Sequence, residues 1–455
     1  MSFKIAFIGG GSVLWTPRLC SDMFLEVSLQ GSELHLVDID RASMELTKRY
    51  LELCNQHIGC KWKIVLSEMD AALTDADVVI VSISTGGLEA MQRDYDIPAK
   101  YGVHHTVGDT VGPAGISRTL RNVPVFLDIA KKMEKLCPDS TMVHVTNPLS
   151  QLTRAVSKAT SIKCVGLCHE YIGIIKMLQN FFQLENRDDL DSLTLGVNHF
   201  TFMPKLFVKG MKNPEAQLTL ANYLKYEMEQ DGTIKTGTTD DEVNKLIVSS
   251  EKLYPYYFQF YMYEQLGYFP ISGSNHLCEN LPYFNGSNEV LKKYHIHRKG
   301  VLPGREEQRG IRRDRLLSIL EEGSVPNEAL SRSHEMLCDV VVGLCAGEAR
   351  RAVVAHANVG QIDNLPREVV VESWATASLS GIHPVASGNM PLQLKGLMEQ
   401  IIVEQELSVE AAITGDKKTF VQALFNSPQL HCKDRARDLA EELLAANHAF
   451  LPQFK

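Results

Sequence analysis

The chain has 455 residues, of which 46 are Lys or Arg and 55 Asp or Glu, for a formal net charge of -9. At roughly 150 residues per domain this length allows two or three domains, and the acidic balance disfavours a polyanionic partner such as nucleic acid. Ten irregularly spaced cysteines without a C-x-x-C pair exclude a disulfide framework, and no apolar run approaches the roughly 18 residues of a membrane span.

Met1 leads almost directly into the first strand, Lys4 to Ile8, without the long apolar segment of a secretory leader, so a reducing cytoplasm is the expected location. Gly9-Gly10-Gly11-Ser12 follows, a glycine turn between strand and helix whose free N–H groups suit a pyrophosphate. As a G-x-G-x-x-G fingerprint it is incomplete, because Leu14 replaces the third glycine. Its context supports it: the next strand, Glu33 to Val37, delivers Asp38 where a carboxylate accepts from both ribose hydroxyls and disfavours a 2′-phosphate, which selects NAD over NADP. A tight turn without a ligand is the plain alternative.

A helix over Ala42 to His57 and strands over Lys63 to Leu66 and Asp77 to Ser82 come next. The last of these runs into Ser82-Ile83-Ser84-Thr85-Gly86-Gly87, placing Ser84 at the sheet edge with the glycine turn. After a helix over Val123 to Leu136, the strand Thr141 to Val145 leads into Thr146-Asn147-Pro148, where the proline favours an extended Asn147 whose amide can face the crevice. The strand Cys164 to Leu167 then delivers Cys168-His169-Glu170 to the same edge, and Gly196-Val197-Asn198-His199 adds another imidazole. Cys168 and His199 together make a reasonable divalent-metal pair, open to substrate oxygens and water. Singly, each has an ordinary reading, a buried small hydrophobe and a satisfied polar residue.

Beyond residue 200 the alternation weakens, with helices expected over Ala216 to Glu229, Asp241 to Lys252 and Arg313 to Glu322. The C-terminal part is helical over Leu392 to Leu407, Lys417 to Leu424 and Asp434 to Ala446. The fold class expected is α/β, with an N-terminal Rossmann-type doubly wound parallel sheet over 1–200 that binds NAD. A second, mixed α+β substrate lobe covers 201–455, assigned to catalysis and oligomerisation.

Taken together, Phe7-Ile8-Gly9-Gly10-Gly11-Ser12, Gly87-Leu88-Glu89-Ala90-Met91-Gln92-Arg93, Gly108-Asp109-Thr110-Val111-Gly112-Pro113, Asn147-Pro148, Cys168-His169, Asn198-His199 and Asn358 to Pro366 resemble the NAD- and Mn-dependent family 4 glycoside hydrolases, in order and spacing over nearly the whole chain. The resemblance implies a glycosidase outside the paired-carboxylate mechanisms. NAD oxidises the sugar at C3, a base removes the acidified C2 proton, the glycosidic oxygen leaves by elimination, water adds, and the hydride returns. It places Mn²⁺, or another divalent metal, on Cys168 and His199. Asn147 and Arg93 hold substrate, His169 holds substrate or protonates the leaving oxygen, and Asp109 orients the base or the metal water. The C2 base falls in the tyrosine-rich stretch Tyr254 to Tyr261, with Tyr257 preferred over Tyr261. The assembly expected is a homodimer or homotetramer.

Substrate class is read from the run Cys168-His169-Glu170-Tyr171, which is nearest the C-H-E-V of the α-galacturonidase branch and unlike the phosphate-recognising branches. Two departures stand out: Tyr171 replaces a small aliphatic residue, and Ser272-Gly273-Ser274-Asn275-His276 lacks the arginine that many relatives carry before the histidine. A uronate carboxylate would need another cation, with Arg93, Arg118, Arg121 and Arg312 available. Glucosidase, galactosidase and glucuronidase activities of the same family are the near alternatives. A 2-hydroxy acid dehydrogenase of the lactate or malate type is the alternative of another class, but it gives Cys168 and His199 no role.

Overall fold

The computed structural model describes residues 2–235, 237–239, 242, 246, 252–298 and 302–455, the side chains at 302, 303, 328 and 329 aside. Six strands form its parallel half: β1 (Lys4–Ile8), β2 (Glu33–Val37), β3 (Lys63–Leu66), β4 (Val78–Val81), β5 (Thr141–His144) and β6 (Lys163–Gly166). Their spatial order is β3-β2-β1-β4-β5-β6, all neighbours parallel. This is the doubly wound arrangement, whose order reverses beside β1 and so opens a crevice at the strands' carboxyl ends.

Alternation along a strand sends successive side chains to opposite faces. Ile5 and Phe7 of β1 accordingly join one core with Leu19, Met23, Tyr50 and Leu51 from the helices Trp15–Phe24 and Arg41–Ile58. Ala6 and Ile8 join another with Leu120, Phe126 and Leu152, and with Val409, Phe420 and Leu439 from the C-terminal helices. The end of the chain therefore covers one face of its own nucleotide half.

The sheet continues past β6 with β7 (Leu190–Val197), β8 (Phe200–Val208), β9 (Phe269–Pro270), β10 (Arg350–Ala357), β11 (Val370–Ser378) and β12 (Gly381–Pro384). β10 lies antiparallel on β6 through Ala355 and Gly166, and the order then runs β10-β11-β7-β8-β9, with β12 on β11. Covering β6 in this way removes an unpaired edge and brings the β7–β8 hairpin into the same sheet as the nucleotide strands.

All six expected strands are present within a residue or two. The helix expected over Val123 to Leu136 begins earlier, at Gly112, because Pro113 suits a first helical turn and Glu404 Oε1 accepts from the Gly112 N–H at 2.8 Å. The helix expected from Arg313 likewise starts at Leu302. That expected over Asp241 to Lys252 falls, apart from residues 242, 246 and 252, outside the described residues. No described helix is long and apolar enough to cross a membrane.

Candidate active site

The glycine turn is stitched to the end of β2: Gly9 and Gly10 N–H donate to Val37 O at 2.8 and 3.0 Å. Gly9 has φ +92°, and a Cβ there would lie 2.0 Å from Ser82 O, so only glycine lets β1 and β4 approach at this point. Asp38 is partly engaged, since its Oδ2 accepts from Gly11 N–H at 2.8 Å and its Oδ1 from Asp40 N–H at 2.9 Å. A carboxylate has about four acceptor positions, so capacity for a ribose remains. Ser12 Oγ accepts at 3.1 Å from the N–H of Trp15, the first residue of the following helix. A cavity of about 430 Å³ opens beside this turn, between Val13, Asp40, Ser43, Gly86 to Glu89 and the helix Leu302–Glu322. The N–H groups expected to be free are engaged, those of Gly9 and Gly10 on Val37 O, of Gly11 on Asp38 Oδ2 and of Ser12 on Gly9 O at 3.1 Å, so these four residues offer a dinucleotide room and a hydroxyl rather than open backbone donors.

Farther along the crevice, Arg118 ties two strand ends together, donating from Nε to Asn147 O at 2.9 Å and from Nη2 to Ser84 Oγ at 3.2 Å. Asn147, in a cis bond with Pro148, donates from Nδ2 to Asp109 Oδ2 at 3.1 Å. Asp109 Oδ1 accepts from Thr110 Oγ1 at 2.8 Å, and Thr110 Oγ1 lies 2.7 Å from His199 Nδ1. The chain fixes a tautomer: a hydroxyl that donates to Asp109 must accept from Nδ1–H, leaving the His199 Nε2 lone pair free for a metal.

His199 is in the two-residue turn of the β7–β8 hairpin at φ +62°, a conformation uncommon for a side chain larger than glycine. Asn280 Nδ2 holds it there by donating to His199 O at 2.9 Å. The donor atoms of Cys168, Glu170 and His199 all lie within 4.8 Å of one another, as do those of Asp109, His199 and His276. His276 lies against His199 with ring centroids 3.6 Å apart, and its buried Nδ1 has no hydrogen-bond partner. The mixture of thiol, imidazole and carboxylate suits a divalent transition metal.

Burial pushes the Cys168 thiol well above its usual range, and the Glu372 and Glu170 carboxylates add to the effect. Burial, with His276 beside it, lowers the His199 imidazole and keeps it neutral, as a metal ligand must be. Burial opposes ionisation of Asp109, but His276 and Arg118 among its neighbours outweigh it and hold the carboxyl below the usual range. Burial also raises Glu170 to about 7, against the pull of His276 and the Gly273 N–H.

The structure therefore brings Asp109, Asn147, Cys168 and His199 together, with Ser84 attached through Arg118. His169 is at the start of the helix Glu170–Phe181, its ring 5.7 Å from Trp15. Arg93 is on the helix Gly87–Ala99, with a buried Nε that has no hydrogen-bond partner. Tyr257 lies against His295, 4.2 Å between centroids, and Tyr261 against Tyr294 at 4.9 Å, so both rings have aromatic partners outside the Cys168–His199 cluster. Sequence reasoning gave no role to Thr110, Glu279 or Glu372. Glu279 Oε1 accepts from the N–H groups of Thr106, Val107 and Gly108 at 2.8 to 2.9 Å and so fixes the loop that carries Asp109. Glu372 accepts from Asn198 Nδ2 at 2.9 Å and Thr201 Oγ1 at 2.7 Å across the base of the hairpin turn.

A model of the family 4 glycosyl hydrolases matches residues 4–184, and the model of that family's C-terminal domain matches residues 194–430. The chain belongs to the family 4 glycosyl hydrolases. As a member it is a hydrolase of glycosidic bonds. An alpha-galacturonidase of Bacillus subtilis strain 168 is 30% identical over 441 residues, covering 93% of each chain. An alpha-galactosidase of the same strain is 29% identical, covering 99% of this chain and 100% of the relative. A 6-phospho-beta glucosidase of Thermotoga maritima, solved with manganese, NAD⁺ and glucose-6-phosphate, shares the fold with a TM-score of 0.75 at 24% identity, covering 98% of this chain and 99% of the other.

Proposed function

We propose that this family 4 enzyme hydrolyses an unphosphorylated α-glycoside of a hexuronic acid, in the first place an α-D-galacturonide, using NAD and a divalent metal such as Mn²⁺. The observation that carries the reading is the continuous link from the glycine turn's crevice, through Arg118, Asn147, Asp109 and Thr110, to the Cys168–His199 donors. When bound, NAD supplies a reversible hydride acceptor for the sugar C3, and the metal supplies Lewis-acid polarisation of the C2 and C3 oxygens.

The protein's own groups account for the rest. Cys168 and His199 hold the metal, and Thr110 keeps His199 in the tautomer that leaves Nε2 free. The pyrophosphate lies over the turn Gly9 to Ser12, where the missing side chains leave room and the Ser12 hydroxyl is the donor, since the N–H groups of these four residues are engaged within the fold; Asp38 and Ser84 are on the riboses. Asn147 and Arg93 orient the sugar, and Asp109 holds the Asn147 amide in place. Tyr257 is the proposed C2 base: it opens its helix next to Tyr256, whose surroundings include Glu170, whereas Tyr261 is a turn farther into the aromatic cluster. His169 protonates the leaving oxygen.

The uronate reading draws on the Cys168-His169-Glu170 run and the galacturonidase relative. Of the four candidate cations, Arg121 is engaged in a bidentate pair with buried Asp94 at 2.7 and 2.8 Å. Arg118 keeps N–H groups beyond its bonds to Asn147 and Ser84, beside the site, and is the stronger candidate for the carboxylate. The test is hydrolysis of p-nitrophenyl α-galacturonide, α-galactoside and 6-phosphoglucoside with NAD, Mn²⁺ and a thiol reductant, omitting each addition in turn. The galacturonide should lead in kcat/KM by roughly tenfold or more, the worth of one charge-assisted hydrogen bond. A faster α-galactoside would overturn the substrate reading; full activity after removal of NAD or metal would overturn the cofactor reading.

A further inference from the structure

Glu170 starts the helix Glu170–Phe181, two residues beyond Cys168, and its side chain turns back toward the site. Its Oε1 is anchored, accepting from Gly273 N–H at 2.9 Å, and lies 3.9 Å from His276 Nε2, beyond hydrogen-bond reach. One carboxylate oxygen is thus held by the backbone while the other has no protein donor among the described residues. The carboxylate is half-buried beside a thiol and an imidazole, where a cation would be favoured. Its oxygen, Cys168 Sγ and a His199 nitrogen lie within 4.8 Å of one another, so a small convergence of the three side chains puts one ion at ordinary bond lengths of about 2.0–2.3 Å from each.

We propose that Glu170 is a third protein ligand to the metal, so that the ion is held by sulfur, nitrogen and carboxylate oxygen rather than by Cys168 and His199 alone. The inference rests on the Cys168–His199 metal reading above and extends it. Thiolate and carboxylate together neutralise a divalent ion, so the site binds more tightly than a pair with one negative charge. Coordination positions still remain for sugar oxygens or water, as in catalytic metal sites with three protein ligands. Gly273 becomes part of the outer support, since its N–H fixes the orientation of the Glu170 carboxylate. Nearby carboxylates have other partners: Asp109 accepts from Thr110 and Asn147, and Glu372 from Asn198 and Thr201.

Glu170→Gln keeps the shape and an acceptor for Gly273 while removing the charge. Mn²⁺ affinity, read from the free-ion EPR signal without substrate, should fall by about 10–100-fold or more, since even outer partners of metal ligands are worth that much. NAD affinity should stay unchanged. Co²⁺-loaded protein separates this inference from its parent: a thiolate-to-cobalt charge-transfer band reports Cys168 independently and should persist in Glu170→Gln. Mn²⁺ affinity within twofold of wild type would overturn the role of Glu170 while leaving Cys168 in place; absence of the band in wild type would overturn the parent reading. If Glu170→Gln does not fold, wild-type protein enriched in ¹³C-glutamate gives the answer by Mn²⁺ ENDOR. A directly bound carboxylate carbon supports the proposal, and no such coupling overturns it.

Discussion

Cys168→Ser is expected to reduce Mn²⁺ affinity by roughly 100-fold or more and to remove measurable hydrolysis at micromolar metal, because the variant loses the one soft, anionic donor of the cluster. The wild-type thiol is half-buried, and its removal from water together with Glu372 and Glu170 disfavours its thiolate when no cation is near. A bound cation reverses that balance, since a coordinating thiol is deprotonated outright. A serine hydroxyl in the same place has no comparable anion to offer. NAD affinity should remain near wild type, because the glycine turn follows β1 while Cys168 follows β6. Titrating the variant with Mn²⁺ and NAD separately checks both statements. Loss of NAD binding to the same degree as metal binding would mean that Cys168 supports the fold rather than the ion.

Gly9→Ala should lower NAD affinity by at least tenfold and reduce Tm, with Mn²⁺ affinity little altered. Two effects act at this position. At φ +92° a side chain is strained by about 1–2 kcal/mol. The new Cβ would also meet Ser82 O at 2.0 Å, so the end of β4 must move away from β1, where Ser82 N–H donates to Ile8 O at 2.8 Å. The turn cannot absorb that shift, because Gly9 and Gly10 are both tied to Val37 O. Fluorescence titration with NADH and a thermal melt give the two numbers. Unchanged dinucleotide affinity would show that this turn does not carry the cofactor.

The parallel half of the fold was legible because its strands are near-continuous apolar runs separated by amphipathic helices, and their carboxyl ends carry the polar residues. Gly9 to Ser12, Asp38, Asn147 and Cys168 could be placed on one edge from that pattern alone. Less legible was the way later segments complete the edge. β10 and β11 insert between β6 and β7, so Glu372 reaches Asn198 from 174 residues away with no local signal. The seven-residue helix Ser274–Asn280 was equally silent, although it supplies His276, the Glu279 clamp and the Asn280 support of His199. Its sequence read only as a departure from relatives. Thr110 was visible beside Asp109, but its function depends on His199, which the fold brings to 2.7 Å. The tyrosine stretch resisted for another reason: its rings pack on aromatic rings from distant segments, such as Tyr256 on Tyr223 and Tyr261 on Phe284 and Tyr294, and periodicity cannot tell a packed ring from a reacting one.

The central claim is that the glycosidic bond breaks by elimination after oxidation at C3 rather than by displacement, and the fate of the C2 hydrogen tests it most directly. Turnover of p-nitrophenyl α-galacturonide in D₂O with NAD and Mn²⁺, followed by NMR of the released sugar, should give product deuterated at C2, with exchange and turnover both suppressed in Tyr257→Phe. A wild-type product that keeps its C2 hydrogen while the bond is fully hydrolysed would contradict the account.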